Sequence, residues 1–417
     1  MPNAIRVERG DGSLRLPGFV NAHSHAFHRV LRGLSETEAG DFWTWRRLMY
    51  GVAERLDPDS YRELATCVYA EMVLAGWTCV GEFHYLHHGR DGRRYSDPNE
   101  MSWALLDAAE AAGIRITLLD TCYLQAGVAG EGVEGVQVRF SDGDGDSWSR
   151  RATSAAESGR FGLQTARLGS AIHSVRAVPR TAMESVAAWS AANAAPLHVH
   201  VSEQRRENEE CLAALSMTPT DLLFSAGALS ERTTGVHATH LTAADVTRYG
   251  LARCGICACP TTERDLGDGV GPFDDLADSG AVLCIGSDSH AVIDPFEETR
   301  SLETHMRLTE ERRGIFGVGD LLAAAGAGGA RSLGWADEEL ETDLVVVRID
   351  SSPALAGADG LDDEALAARV LFGAGPADVE AVTIADHVVV EGGEHVRLGP
   401  RRAVAERLSR AVTELVS

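Results

Sequence analysis

Residues 16–25 read Leu-Pro-Gly-Phe-Val-Asn-Ala-His-Ser-His, an apolar run that closes on the pair His23 and His25. In an extended strand successive side chains point to opposite faces, so residues i and i+2 share one. Both imidazoles can then meet at the strand's end and bind one metal ion. The design recurs along the chain. Short apolar, β-rich runs end in residues 19–23, 79–84, 116–120, 169–173, 197–201, 235–239, 256–259 and 282–286. Helical patterns at 60–75, 99–112, 181–192 and 295–308 lie between or after many of them, with Gly76 and Gly113 placed to end two helices. Eight strands interleaved with helices predict an α/β fold, a parallel (β/α)8 TIM-like barrel over residues 17–334.

After Trp335 the pattern changes to antiparallel-looking strands at 343–349, 381–384 and 387–391. Residues 1–16 and 335–400 are expected to form a small β-sandwich beside the barrel, reduced because little chain precedes the first barrel strand. Residues 401–417 should form a C-terminal helix. The segment 125–149 is rich in Gly, Asp and Ser without periodicity, and is expected to be a mobile loop over the barrel mouth. Asp142, Asp144 and Asp146 alternate as in a calcium loop. Ser147 and Thr153 stand where such a loop needs Gly and Glu, so calcium is rejected there.

Composition narrows the function. With 417 residues, 44% of them hydrophobic, the chain can bury one large core. A net charge of −24 argues against nucleic acid, whose phosphates demand a basic face. An anionic substrate would have to be caught by local arginines against the overall field. All 38 basic residues are arginine. The lack of lysine excludes a lysine Schiff base, a P-loop and a carbamylated lysine bridging two metals. Eight scattered cysteines suit a reducing cytoplasm, and the close set Cys254, Cys257 and Cys259 on an apolar strand reads as structural. No run is long enough to span a bilayer, and the charged stretch from Met1 to Leu16 lacks a secretory pattern, so a cytoplasmic protein is expected. A homodimer is the expected assembly, as the commonest among soluble oligomers.

Further strand ends carry the chemistry. His198-Val-His200-Val-Ser-Glu203 places a carboxylate three residues beyond a histidine; His237 and His240 follow the next strand, and Gly286-Ser-Asp288-Ser-His290 follows the last. Active sites of such barrels are built from strand C-termini. His, His, His and Asp suit zinc and leave room for water. His198 and His200 lie on one face, and His198 fits a buried core histidine.

The phrases PGFVNAHSHAFHR, FWTWRRLMY, EFHYLHH, HSVR, HVHVSEQ, VHATH, CPTTERDLGDG and GSDSH, spanning Pro17 to His290, resemble the amidohydrolase superfamily. FWTWR and EFHY are closer to its formimidoylglutamate deiminases, the iminohydrolases of histidine degradation. The resemblance implies a barrel of the metal-dependent hydrolase type with one zinc ion on His23, His25, His200 and Asp288. His173 stands where a bridging group of a two-metal site would sit. His237 and Glu203 would be the acid/base pair. His173, Arg176, Tyr85 and Arg46 would face the substrate. His28 replaces a glutamine that many relatives use as a substrate contact, and histidine can still donate a hydrogen bond.

The expected reaction is hydrolysis of N-formimidoyl-L-glutamate, a small anionic amidine, to N-formyl-L-glutamate and ammonia. Zinc would supply hydroxide at neutral pH. His237 would orient the water, Glu203 would protonate the imine nitrogen, and Asp288 would accept the water's proton. Arg176 and Arg46 are the candidate carboxylate anchors. Two rivals stand beside this reading: a deaminase of the same superfamily acting on a nucleobase or triazine ring, and a non-catalytic barrel scaffold, whose signature would be a lost ligand.

Overall fold

A computed structural model describes residues 7–10, 12–34, 42–358 and 360–416. Each of the eight expected barrel strands forms: β3 (Phe19–Ser24), β4 (Trp77–His84), β5 (Arg115–Cys122), β6 (Ala166–Ser174), β7 (Leu197–Val201), β8 (Thr233–His237), β9 (Gly255–Ala258) and β10 (Val282–Ile285). They pair in parallel in chain order, and a bridge between Ser24 and Asp288 brings the last strand's end to the first. Every residue of β3, β4, β5 and β7 is buried. Such strands are covered on both faces, by packed side chains inside and helices outside, which is why they read as continuous apolar runs.

Helices follow where the periodicity predicts them, at Pro58–Ala75, Glu100–Ala112, Arg180–Ala192 and Pro295–Glu310. The first begins with a reciprocal capping box between Asp57 and Ser60 and ends at Gly76, whose φ of 112° an L side chain would resist. Segment 125–149 corrects an expectation. It carries a 3-10 turn (Gly135–Arg139) and the start of a helix (Gly145–Ala156), and buried side chains anchor it. Gln137 Nε2 donates to the hydroxyls of Tyr123 (2.8 Å) and Tyr50 (3.2 Å), and Arg139 donates to three backbone carbonyls of residues 53, 56 and 88. Two of the three alternating aspartates serve this anchoring. Asp142 accepts from Arg151, and Asp144 caps the helix through Ser147 N at 2.6 Å.

The second unit is one antiparallel six-stranded sheet, in the order β1 (Glu8–Arg9), β2 (Ser13–Pro17), β11 (Leu344–Arg348), β12 (Val379–Ile384), β13 (His387–Glu391) and β14 (Glu394–His395). Part of the expected N-terminal segment, residues 1–6 and 11, lies outside the described residues. In β2 only Leu14 and Leu16 are buried, the alternation of a half-covered strand. Ala385 and Asp386 join β12 to β13, both at positive φ, as a two-residue hairpin turn requires. One buried ion pair ties this sheet to the barrel. Arg115 at the base of β5 grips Asp343 with two hydrogen bonds of 2.8 and 2.9 Å, while Asp343 also accepts from Ala385 N. A terminal helix (Arg401–Val416) packs on the Pro58–Ala75 helix, where Arg407 pairs with Glu63. No helix among the described residues is long and apolar enough to cross a membrane.

Candidate metal centre

Four side chains from the two ends of the barrel sequence and its middle converge at the C-terminal edge of the strands. His23 and His25 come from the end of β3, His200 from β7, and Asp288 from just beyond β10. His23 Nε2 lies 3.0 Å from His200 Nε2, and His25 Nε2 lies 3.4 Å from it. Asp288 Oδ1 is 3.3 Å from His23 Nε2 and 3.4 Å from His25 Nε2. The other nitrogens explain the arrangement. His25 Nδ1 donates to Phe83 O and His200 Nδ1 to His173 O, both at 2.9 Å, leaving bare lone pairs on the Nε2 atoms of these two rings. Ring nitrogens converging at this separation can hold a cation between them, and backbone-oriented imidazoles are how proteins prepare such ligands.

Protonation states agree. Burial drives His23 and His200 below the ordinary histidine range, and burial with the neighbouring His23 takes His25 to about 3. Asp288 is buried, which opposes ionisation, but the surrounding imidazoles outweigh that and hold it well below the carboxylate range. Three neutral nitrogens and one carboxylate are a donor set that fits zinc or a similar divalent ion.

The seam between first and last strands fixes these ligands. His25 N donates to Asp288 O (3.2 Å), and Asp288 N donates to His23 O (3.0 Å). A side-chain network backs it: Asn21 Nδ2 donates to Ser287 Oγ at 2.6 Å, His290 bridges Ser287 and Ser24, and Ser24 donates to buried Glu82 at 2.7 Å. Gly286 lies so close that a Cβ there would meet His23 Cβ at 2.8 Å. His237 (φ 69°) and Asp288 (φ 41°) both sit in left-handed backbone. Non-glycine residues pay about 1–3 kcal/mol for that conformation, a cost that clusters at functional sites.

Beside the four ligands stand His237 and Glu203. His237 Nε2 faces Glu203 Oε1 and Asp288 Oδ2, each at 3.8 Å, while its Nδ1 donates to Glu263 at 3.3 Å. Burial disfavours the imidazolium, but Glu203, Glu263 and Asp288 overcome it and raise His237 to about 10. Glu203 is pushed up, chiefly by burial. His198 stands apart, its Nε2 bonded to Ser332 O at 2.8 Å in the core. His240 is only half buried and borders a separate surface cleft.

A cleft opens above the candidate ligands, and every residue expected to face substrate lines it: His28, Arg46, Tyr85, His173 and Arg176. Arg46 Nη2 donates to Tyr123 OH at 3.2 Å, and its guanidinium lies over the rings of Tyr50 and Trp43. Arg176 is shared by two acids, Glu207 at 2.6 Å and Glu203 at 3.4 Å. His28 Nε2 contacts Tyr85 OH at 2.9 Å. Sequence reasoning missed Tyr50, Tyr123, Glu207 and Glu263. The acids lie inside or beside the phrases HVHVSEQ and CPTTERDLGDG, but nothing local marks them as partners of Arg176 and His237.

The amidohydrolase family profile matches residues 14–347. The chain belongs to the amidohydrolase family. Among its members, a formimidoylglutamate deiminase of Pseudomonas aeruginosa is 38% identical over 99% of this chain and 91% of its own length. A 5-methylthioadenosine/S-adenosylhomocysteine deaminase of Pelotomaculum thermopropionicum is 27% identical, covering 99% and 89%. Among solved structures, an amidohydrolase from Brucella melitensis superposes with a TM-score of 0.88 at 30% identity, covering 99% of this chain and 96% of that one. A zinc-bound adenosine deaminase from Xanthomonas campestris has the same fold, with a TM-score of 0.80 at 21% identity and coverage of 96% and 86%. Within the family this amidohydrolase is a deaminase, a hydrolase acting on C–N bonds.

Proposed function

We propose that this amidohydrolase hydrolyses N-formimidoyl-L-glutamate to N-formyl-L-glutamate and ammonia, using one zinc ion held by His23, His25, His200 and Asp288. The observation that carries the substrate is the pair of guanidinium groups, Arg46 and Arg176, lining one cavity with the metal ligands. Arginine forks match carboxylates, and this substrate has two; a neutral purine or triazine ring offers no carboxylate for them to pair with. The likeness to the Pseudomonas deiminase supports the same reading. Arg46, stacked at the cavity wall, is the simpler anchor, whereas Arg176 must divide its charge between substrate and Glu203.

When bound, a divalent cation supplies the acidity that turns water into hydroxide near neutral pH. The protein's own groups do the rest. Asp288 uses Oδ1 toward the ligand cluster and keeps Oδ2 beside His237, where it accepts the water's proton. His237, held by Glu263, orients the attacking oxygen. Glu203, with its proton affinity raised by burial, protonates the imine nitrogen; as the tetrahedral intermediate collapses, the proton held on Asp288 passes to the amino group, which departs as ammonia, and Glu203 takes back the hydroxyl proton. Its bond to Arg176 places the acid and the substrate anchor on one rigid unit.

The test is ammonia release by the zinc-loaded protein from N-formimidoyl-L-glutamate, compared with cytosine, guanine and adenosine, with the product identified. Formylglutamate from the amidine and silence on the rings is the expected result. Turnover of a ring in its place overturns the substrate, and free glutamate as product means that a different bond is cut.

A further inference from the structure

A second donor set lies on the far side of His237. His237 Nδ1, Cys259 Sγ and a Glu263 carboxylate oxygen all lie within 4.8 Å of one another, each buried. Their positions follow from the fold. His237 ends β8, Cys259 follows β9, and Glu263 lies in the helix Pro260–Leu266, its Oε1 fixed by Cys259 N at 2.8 Å and by His237 at 3.3 Å. Cys257, two residues earlier, brings its sulfur to 4.0 Å from Cys259 but lies outside the set. Nitrogen, sulfur and oxygen in this combination select zinc or a softer divalent ion rather than magnesium or calcium. The charge balance favours it as well. Glu263, Glu203 and Asp288 all lie within 4 Å of this one imidazole, carboxylates that favour the approach of a cation over that of an anion.

We propose that His237, Cys259 and Glu263 form a second site for zinc or cadmium, and that filling it switches the enzyme off. On binding, the metal takes the place of the Nδ1 proton of His237 and of the thiol proton of Cys259, and both protons pass to solvent. The imidazole is then tied from behind, and Glu263 no longer orients it. His237 also lines the cavity above the first site, which gives the ion a route. Cys259, packed with Cys257, Cys284, Ala22 and Val236, thus has a chemical use besides filling the barrel interior. The site itself stands apart from the substrate reading; only its inhibitory consequence rests on that reading and on the role of His237.

The experiment titrates cadmium ion into full-length protein already loaded with one zinc. It follows metal content per chain, the ultraviolet cadmium–thiolate absorption and ammonia release, in the wild type and in Cys259→Ser. The expected result is a second metal with a thiolate band, and activity falling roughly 10²-fold, as when a proton-transfer role is lost. Cys259→Ser should keep one metal, show no band and retain its activity through the titration. A single metal in the wild type, a band that survives Cys259→Ser, or full activity with two metals bound overturns the proposal. Should the one-zinc protein release no ammonia at all, the substrate reading fails, while metal count and thiolate band still decide the second site.

Discussion

Replacing Glu203 by glutamine isolates one proton. The side chain is buried, and glutamine preserves its volume and can still accept from Arg176, so cavity shape and the four ligands should be undisturbed. What disappears is the acid that discharges the leaving nitrogen. Such a role is worth ~10²- to 10⁴-fold in rate, or about 2.7–5.4 kcal/mol of barrier. Ammonia release should therefore fall by that factor in kcat, with KM changed little and metal content intact by elemental analysis. A second readout comes from His237. After burial, which lowers its proton affinity, Glu203 is the strongest influence on it and raises it. Because the folded-state value, about 10, exceeds the ordinary 6.5, this group stabilises the metal-free protein fully below pH 6.5 and loses that contribution as pH climbs toward 10. Without the Glu203 charge the folded-state value falls, so the loss still begins near pH 6.5 but should be smaller and finish at lower pH, visible as a shallower alkaline decline of the urea midpoint. A metal-replete variant within threefold of wild-type kcat would refute the acid role. An unmoved alkaline decline would refute the coupling.

Removal of the Arg46 guanidinium by Arg46→Ala should raise KM for formimidoylglutamate roughly 10- to 100-fold, the cost of one charge-assisted hydrogen bond, with metal content unchanged; an unaltered KM removes it as an anchor. Arg115→Ala leaves Asp343 buried without its partner and should cost about 3–5 kcal/mol in chemical denaturation, whereas a loss under 1 kcal/mol would show the pair to be dispensable. Burial holds His198 at about 3 when folded, so the unfolded chain takes up the proton first and stability drops as pH falls below 6.5. His198→Gln should spare roughly 2 kcal/mol of that loss between pH 7 and pH 5, and parallel stability profiles would contradict this.

The barrel was legible because its strands are covered on both faces and therefore unbroken by polar residues, and because each ends in chemistry. His23, His25 and Asp288 could be placed from period-two geometry and strand position before any fold was seen. Choosing His200 over His198 rested on the likeness to relatives, and only the partner of each imidazole, Ser332 O for one and His173 O for the other, gives the physical reason. Segment 125–149 misled because it lacks periodicity. Its order comes from distant contacts, Gln137 to Tyr50 and Arg139 to the carbonyls of 53 and 56, that no local pattern encodes. The same holds for Arg115 and Asp343, 228 positions apart, and for the seam joining Asn21 to Ser287 across 266. Glu263 and Glu207 act on residues delivered by other strands, so their roles arise from topology alone.

That seam also orders events in the life of the chain. Two candidate ligands lie at and just past the end of the first barrel strand and one follows the eighth, so the nascent polypeptide carries an unfinished chelate until nearly three hundred residues have emerged and the ring has shut. Cation capture would then be a late step, and its onset, followed by the visible absorption of cobalt(II) in place of spectroscopically silent zinc, would report closure of the barrel.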